Sequence, residues 1–320
     1  MSDRELKFRS DGSFTIVQFT DLHWTDGGAD DCGTRALMQS IVELEAPDLI
    51  LFTGDVIQSR EAADPMLAFM QAVAVAEDAG MPWAAVYGNH DAEVGVTREQ
   101  LMELQRQSRY CMSRPGPLDI QGVGNYALEV RASRSRRTAA VLYGFDSGSK
   151  SRDHDWDGVD LTQIGWYMAQ SAAFIAGNDG RPLPSLAFMH IPLPEYQELW
   201  NYTTCYGHNY EGVACSTLNA GLFAAFLKMN DVMGTLAGHN HVNDYWGELH
   251  GIRLCYGRST GFGGYGLAGF QRGARVVRLQ EDSETFETWI RLENGAKLTS
   301  QREHAPELTR SKAHEAFVPN

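Results

Sequence analysis

Five short apolar runs in this 320-residue chain each end in side chains that carry metal-binding or proton-transferring atoms. The endings are Asp21-Leu22-His23, Gly54-Asp55, Gly88-Asn89-His90-Asp91, His190 and Gly238-His239-Asn240-His241. Carboxylate, carboxamide and imidazole groups hold hard and borderline cations, and a mixture of imidazole with carboxylate suits Mn, Fe or Zn better than Ca. Taken one at a time, the groups have plainer readings. Asp-x-His can be a turn beside a hydrogen-bonded histidine, Gly-Asp a turn, Asn-His-Asp a helix cap, and His190 a packed histidine. His239 and His241 say more, because residues i and i+2 of an extended segment point to one side, as chelation requires. All five endings in one chain make coincidence a poor explanation. No cysteine lies at any of them, which argues against a structural thiolate zinc site.

These side chains meet only if the runs are strands of α/β sheets, where ligands bind beyond the carboxyl ends. The sequence pattern predicts such strands. They are expected over 14–20, 48–53 and 83–87, alternating with helices over 34–45, 65–79 and about 97–108. The helix at 65–79 opens on Pro65 and closes on Gly80, the usual asymmetry of helix ends. Alternation of this kind implies βαβ units and a parallel core. The later half is richer in strands: a hairpin of 126–130 with 139–145 around an exposed basic turn at 131–137, then 186–191, 232–237, 252–256, 275–279 and 286–292. Helices over about 160–175 and 219–229 lie between them. The expected fold is α/β: a four-layer α/β/β/α sandwich of two mixed sheets, with the metal site at the C-terminal ends of the strands. A single domain is expected over 1–293, followed by a polar, poorly ordered tail over 294–320.

Bulk composition narrows the partners. With 43% apolar residues the chain can bury a substantial core, and its net charge of −14 argues against general affinity for nucleic acid or an anionic membrane. That charge sits awkwardly with an anionic ligand unless bound cations reverse it locally. The N-terminal residues 1–9 are polar, with no apolar core of a secretion signal, and no apolar run is long enough to cross a bilayer. The five cysteines are scattered without a C-x-x-C pair, so reduced thiols and a cytoplasmic location are expected, with Cys205–Cys215 pairing as the lesser alternative.

The ordered set Asp-x-His, Gly-Asp, Gly-Asn-His-Asp, His and Gly-His-x-His resembles the calcineurin-like metallophosphoesterase superfamily. The stretches FTDLHW, PDLILFTGDVI, PWAAVYGNHDAE, FMHIPLPEY, LAGHNHVNDYWG and CYGRSTGFGGYG resemble its purple-acid-phosphatase-like branch. The likeness runs from about Phe14 to Leu279. It implies that Asp21, His23 and His241 hold a first metal, that Asn89, His190 and His239 hold a second, and that Asp55 bridges both. One departure matters: purple enzymes carry a tyrosine three residues after the Gly-Asp aspartate, where this chain has Gln58, and they lack the histidine that stands here as His23. A non-purple site is therefore expected.

The implied chemistry is hydrolysis of a phosphate ester. A bridging carboxylate holds two cations about 3.5–4 Å apart, where they generate hydroxide from water and clamp the phosphoryl oxygens for in-line attack. The resemblance suggests His90 as general acid for the leaving alkoxide, oriented by Asp91. Arg258, just past a strand and followed by glycines, could bind phosphate or could equally be an ion-pairing residue. The aromatic stretch 200–211 is expected to form a loop rimming the site. Three functions follow from these residues: a phosphomonoesterase acting on a small-molecule ester, a phosphodiesterase acting on a (cyclic) nucleotide or lipid headgroup, and a silent binding scaffold such as the retromer subunit of this fold. The last would be expected to lose ligands, and all seven are kept here. Oligomeric state, native metal pair and physiological substrate are not written in the sequence.

Overall fold

A computed structural model describes residues 5–151 and 155–306. The N-terminal third alternates strand and helix as its apolar pattern demands: β1 (Leu6–Lys7), β2 (Ser13–Phe19), α1 (Ala29–Glu45), β3 (Leu49–Thr53), α2 (Pro65–Asp78), β4 (Trp83–Val86) and α3 (Arg98–Gln105). The middle contributes β5 (Tyr126–Arg131), β6 (Thr138–Gly144), α4 (Leu161–Gly177), β7 (Ser185–Phe188), α5 (Glu195–Tyr202) and β8 (Cys205–Tyr206). After these come α6 (Leu222–Met229), β9 (Val232–Ala237), β10 (Trp246–Leu249), β11 (Ile252–Tyr256), β12 (Gly273–Gln280), β13 (Phe286–Leu292), β14 (Lys297–Leu298) and β15 (Glu303–His304). Local chemistry sets several ends. Asp64 caps α2 by accepting from the Met66 and Leu67 N–H groups, and Thr97 with Gln100 forms a reciprocal capping box on α3.

The strands form two mixed sheets. One has six strands in the order β14-β13-β12-β2-β3-β4, and the other nine in the order β1-β5-β6-β7-β9-β11-β10-β8-β15. The β2–β3–β4 and β6–β7–β9–β11 sets are parallel, so within each set the C-terminal strand ends share one edge. Three apolar layers account for the stack. Val17, Ile50, Phe52 and Trp83 pack on Leu37, Ile41, Phe69 and Val73 of α1 and α2. Ile16, Leu51, Val86 and Val277 meet Leu142, Leu186, Phe188 and Leu236 between the sheets. Tyr143, Ala187 and Leu254 pack beneath Tyr167, Tyr196 and Phe226 of α4, α5 and α6. The layering is therefore α/β/β/α, as the strand and helix pattern predicts.

Polar bridges cross the apolar middle layer. Gln18 on β2 donates to Thr53 Oγ1 at 2.8 Å and to the Ala237 carbonyl of β9 at 3.0 Å. Fully buried Arg275 on β12 donates to the carbonyls of Tyr256 and Asp244 in the nine-stranded half and to Thr288 Oγ1 on β13. A buried guanidinium is tolerated only when its donors are satisfied, so this residue ties the sheets in one register.

Two expectations change. Residues after 294 do not simply trail off: β14 pairs with β13, and β15 pairs with β8 at the far edge of the nine-stranded sheet. Segment 294–306 thus belongs to the fold, while 307–320 lies outside the described residues, as do residues 1–4 of the N-terminal reading. Nor is the 200–211 stretch a free loop. It begins inside α5, where the Trp200 ring stacks on His304 at 3.7 Å, and continues into β8, which pairs with β10. Aromatic side chains that bury against a sheet edge look, in sequence, like those that line a rim. Among the described residues all five cysteines are unpaired, Cys205 and Cys215 included, and no helix is long and apolar enough to cross a membrane.

Replacing Arg275 by Met leaves buried carbonyls without their donor, at about 1–3 kcal/mol for each acceptor orphaned. Arg275→Met is expected to lose at least about 3 kcal/mol in urea unfolding, whereas the exposed Arg136→Met is expected to change stability by less than about 0.5 kcal/mol.

Candidate metal centre

The five polar endings come together. Asp21 and His23 follow β2, Asp55 follows β3, and Asn89 and His90 follow β4, all on the six-stranded sheet. His190 follows β7, and His239 and His241 follow β9, on the other. Ligand atoms of Asp21, His23, Asp55 and His241 lie within 4.8 Å of one another, as do those of Asp55, His190 and His239. Asp55 is common to both groups. Asn89 adjoins the second, its Oδ1 3.2 Å from His190 Nε2.

The backbone is bent to achieve this. Asp21, His23, Asp55 and His239 all have left-handed φ angles, of 55°, 49°, 47° and 75°. Such conformations cost on the order of 1–3 kcal/mol each outside glycine and concentrate at functional sites. Cross-links hold them: His23 N–H donates to the Asp55 carbonyl at 2.9 Å, His239 N–H to Asp21 Oδ1 at 3.0 Å, and His90 N–H to Asp55 Oδ1 at 2.8 Å. At two glycines the packing leaves no room for a side chain. A Cβ on Gly88 would collide with the Asp55 carboxylate, and one on Gly264 would come within 2.6 Å of the His241 ring and 2.7 Å of the His23 ring.

Proton accounting at the imidazoles shows what the cluster needs. His241 Nδ1 lies 2.9 Å from the Tyr265 carbonyl and His190 Nδ1 lies 2.9 Å from the Thr53 carbonyl; a carbonyl only accepts, so both Nδ1 atoms carry protons. His23 Nδ1 faces Gln58 Oε1 at 2.8 Å and, as Gln58 is oriented, donates likewise. In the neutral rings the Nε2 atoms are then bare lone pairs. Those of His23 and His241 face each other at 3.0 Å, where a shared cation suits them and nothing else present does. Burial, followed by the neighbouring His190, depresses His239 to about 3; burial, followed by His23, does the same to His241. Both rings are thus held neutral, the form that binds metal. Burial also opposes charge on His190, yet Asp55 outweighs it and raises that ring to about 9. Asp55 itself is held well below the ordinary range: burial works to raise it, and His190 and His23 overcome that. Asp21 Oδ2 is buried with no hydrogen-bond partner, and His239 turns Nδ1 to the second cluster, 3.2 Å from His190 Nε2.

A family model described as Calcineurin-like phosphoesterase matches residues 14–243. The chain belongs to that family. Among its curated relatives, the Arabidopsis thaliana protein named Probable inactive purple acid phosphatase 28 is 34% identical, with 90% of this chain and 83% of the plant protein covered. Phosphatase DCR2 of Saccharomyces cerevisiae is 30% identical over 92% of this chain and 56% of the yeast protein. A solved dimetal phosphatase from Danio rerio shares the fold, with a TM-score of 0.60 at 14% identity, covering 91% of this chain and 98% of the fish protein. The resemblance to the purple-acid-phosphatase-like branch is borne out by these relatives.

Two residues expected at the phosphoesterase site do other work. Asp91 is fully buried, and its two oxygens accept from the Ile57 N–H at 2.9 Å and the Gly88 N–H at 2.7 Å. Burial, and then Asp55, raise its carboxyl to about 6. It clamps the loop after β4 and does not orient His90. The His90 ring instead meets Glu93, with Nδ1 2.8 Å from Oε2. The sequence hides this because neighbours in a tight turn point in opposite directions; an acid three residues on was the available signal. Arg258 is 4% exposed and committed: it pairs with Asp244 at 2.5 Å, donates to the Gln271 carbonyl at 2.6 Å and lies over the Phe270 ring. Its charge is spent on Asp244, so phosphate binding there finds no support. Two aromatic neighbours were not foreseen. Tyr265 stacks on the His241 ring at 3.9 Å, with its hydroxyl donating to Glu211, and Trp156 sets its ring against His239 at 4.3 Å.

Equilibrated with Mn and desalted, the protein is expected to retain two ions per chain, and with free Mn at a hundredfold excess over Kd each site is expected to add about 2.7 kcal/mol of stability. Asp55→Asn is expected to retain fewer than one ion and to show little metal-dependent stabilisation, read by elemental analysis and thermal unfolding.

Proposed function

We propose that this family member is an active dinuclear hydrolase of a phosphate monoester on a small molecule. Asp21, His23 and His241 would hold one ion, Asn89, His190 and His239 the other, and Asp55 both. The observation that carries this reading is the convergence of bare imidazole lone pairs and an unpartnered aspartate oxygen on two clusters that share one carboxylate. Imidazole with carboxylate and carboxamide favours Mn, Fe or Zn. When bound, such a pair supplies Lewis acidity to the phosphoryl oxygens and activates water.

The protein's own groups then have defined tasks. Thr53 and Tyr265 carbonyls, with Gln58, fix the ring tautomers so that Nε2 faces the centre. His90, held by its N–H to Asp55 and 33% exposed at its side chain, is the group placed to give a proton to the departing oxygen. Gln58 occupies the position of the purple enzymes' tyrosine and bonds His23, so a colourless centre is part of the proposal. The plant relatives carry "inactive" in their names; the retained donor set favours turnover here, and against a silent scaffold stands the cost of burying so many unpaired polar groups. A diesterase would use the same centre. The five free thiols fit a reducing compartment, and we place its action in the cytoplasm.

A panel of 4-nitrophenyl phosphate and bis(4-nitrophenyl) phosphate with added Mn tests the reading. The monoester is expected to turn over faster; faster diester turnover would reverse the substrate assignment, and turnover of neither would refute the function. Asp55→Asn and His239→Ala are expected to lose metal-dependent activity. His90→Ala is expected to keep both ions and slow by about 10²–10⁴-fold on poor leaving groups.

A further inference from the structure

The turn after β4 carries a second carboxylate outside the metal donor set. Glu93 Oε2 sits 2.8 Å from His90 Nδ1, while its Oε1 lies 3.4 Å from the Arg60 guanidinium. Ser59 locks the geometry between them. Its hydroxyl donates to the His90 carbonyl at 2.6 Å and accepts from the Glu93 N–H at 2.9 Å, and its own N–H donates to that same carbonyl at 3.1 Å. The His90 backbone is pinned in turn to Asp55. The His90 ring lies 5.2 Å from the His23 ring, so it borders the metal centre, and its side chain is 33% exposed.

An ionised carboxylate only accepts, so His90 Nδ1 is the donor and Nε2 is the nitrogen turned away from Glu93. This is the relation by which the aspartate of a serine-protease triad fixes the tautomer and orientation of its histidine. Asp91 does not serve: its oxygens turn to the Ile57 and Gly88 N–H groups, and the partner of His90 Nδ1 is Glu93.

We propose that Glu93 is the positioning residue for His90, and that it fits the site to phosphate esters of aliphatic alcohols, whose leaving oxygens need a proton. The inference rests on the phosphoesterase reading above. In the step, the bond from phosphorus to the leaving oxygen breaks with its electron pair going to oxygen. That oxygen takes the Nε2 proton of His90, the N–H pair stays on the ring, and water both supplies the new hydroxyl on phosphorus and later reprotonates the ring. Glu93 holds Nδ1–H throughout.

The test compares the Mn-loaded full chain with Glu93→Gln, His90→Asn and the double variant on two monoesters. One is 4-nitrophenyl phosphate, which departs without a proton, and the other is benzyl phosphate, which does not. Glu93→Gln is expected to lower kcat on benzyl phosphate by roughly 10–100-fold and on the nitrophenyl ester by less than about threefold, with bound Mn unchanged. In the His90→Asn background the same change is expected to cost nothing further, because the two act as a unit. Equal losses on both esters, additive losses in the double variant, or loss of metal would overturn the proposal. Ring ¹⁵N spectra of the zinc-loaded protein supply a readout apart from turnover: His90 is expected to be protonated at Nδ1, with mixed tautomers in Glu93→Ala. A wild-type ring bare at Nδ1 would overturn the proposal whatever the kinetics. Wild-type protein that cleaves neither ester refutes the phosphoesterase reading instead, and the ring spectra still decide whether Glu93 orients His90.

Discussion

Asp55 is 1% exposed and stands within 3.2 Å of His190 and 3.7 Å of His23, with a backbone N–H on its second oxygen. A second carboxylate, Asp21, is equally buried close by; burial raises it, against the pull of His190, and repulsion from Asp55 adds to the rise. Bringing two carboxylates and four imidazoles into one low-dielectric volume is unfavourable unless positive charge comes with them. A proton on His190 would supply one charge; on the proposed function two cations would displace that proton, supply the charge in its place and satisfy the bare nitrogens as well. The backbone shows the same dependence, since four of these residues sit in left-handed conformations that only a larger gain would maintain.

That constraint also explains the architecture. The six-stranded sheet contributes Asp21, His23, Asp55 and Asn89, and the nine-stranded sheet contributes His190, His239 and His241. Neither sheet holds a full donor set for either ion. The centre forms where the carboxyl edges of both sheets meet, and the buried bridges from Gln18 and Arg275 keep those edges in register. Sheet packing and metal binding are thus coupled: whatever shifts one sheet along the other separates Asp55 from His190.

Much of this was legible in the sequence because the signals were local and strong. Each long strand is an apolar run, each ligand group directly follows one, and parallel strands bring such ends to one edge whatever the loops do. The four-layer stacking followed from that pattern. What sequence missed is set by partners and not by a strand's own residues. The two-residue strands β1, β8, β14 and β15 have no pattern to read and exist only because a neighbour offers free backbone groups. The same holds for side chains. Arg258 and Asp91 stand beside the site in sequence but face Asp244 and the backbone of Gly88, while Glu93, which was passed over, turns back to His90. Direction within a turn is a tertiary property, and residue type does not encode it.

The charge balance then points one way. On the proposed function an anionic ester would approach a protein of net charge −14, and among the described residues four arginines near the site are already engaged. Arg258 serves Asp244, Arg272 serves the carbonyls of Gly264 and Tyr265, Arg98 serves Asp146 and the Gly88 carbonyl, and Arg60 faces Glu93. Each holds a loop that shapes the centre; none of the four has a guanidinium free of protein partners to offer a phosphate. Tyr265 and Trp156, set against ligand histidines of opposite clusters, are aromatic. On the proposed function, phosphate recognition would fall largely to the cations, with these four arginines acting through the loops they brace. In such a site, affinity for the anion and the power to activate water rise and fall together, because the same two ions provide both.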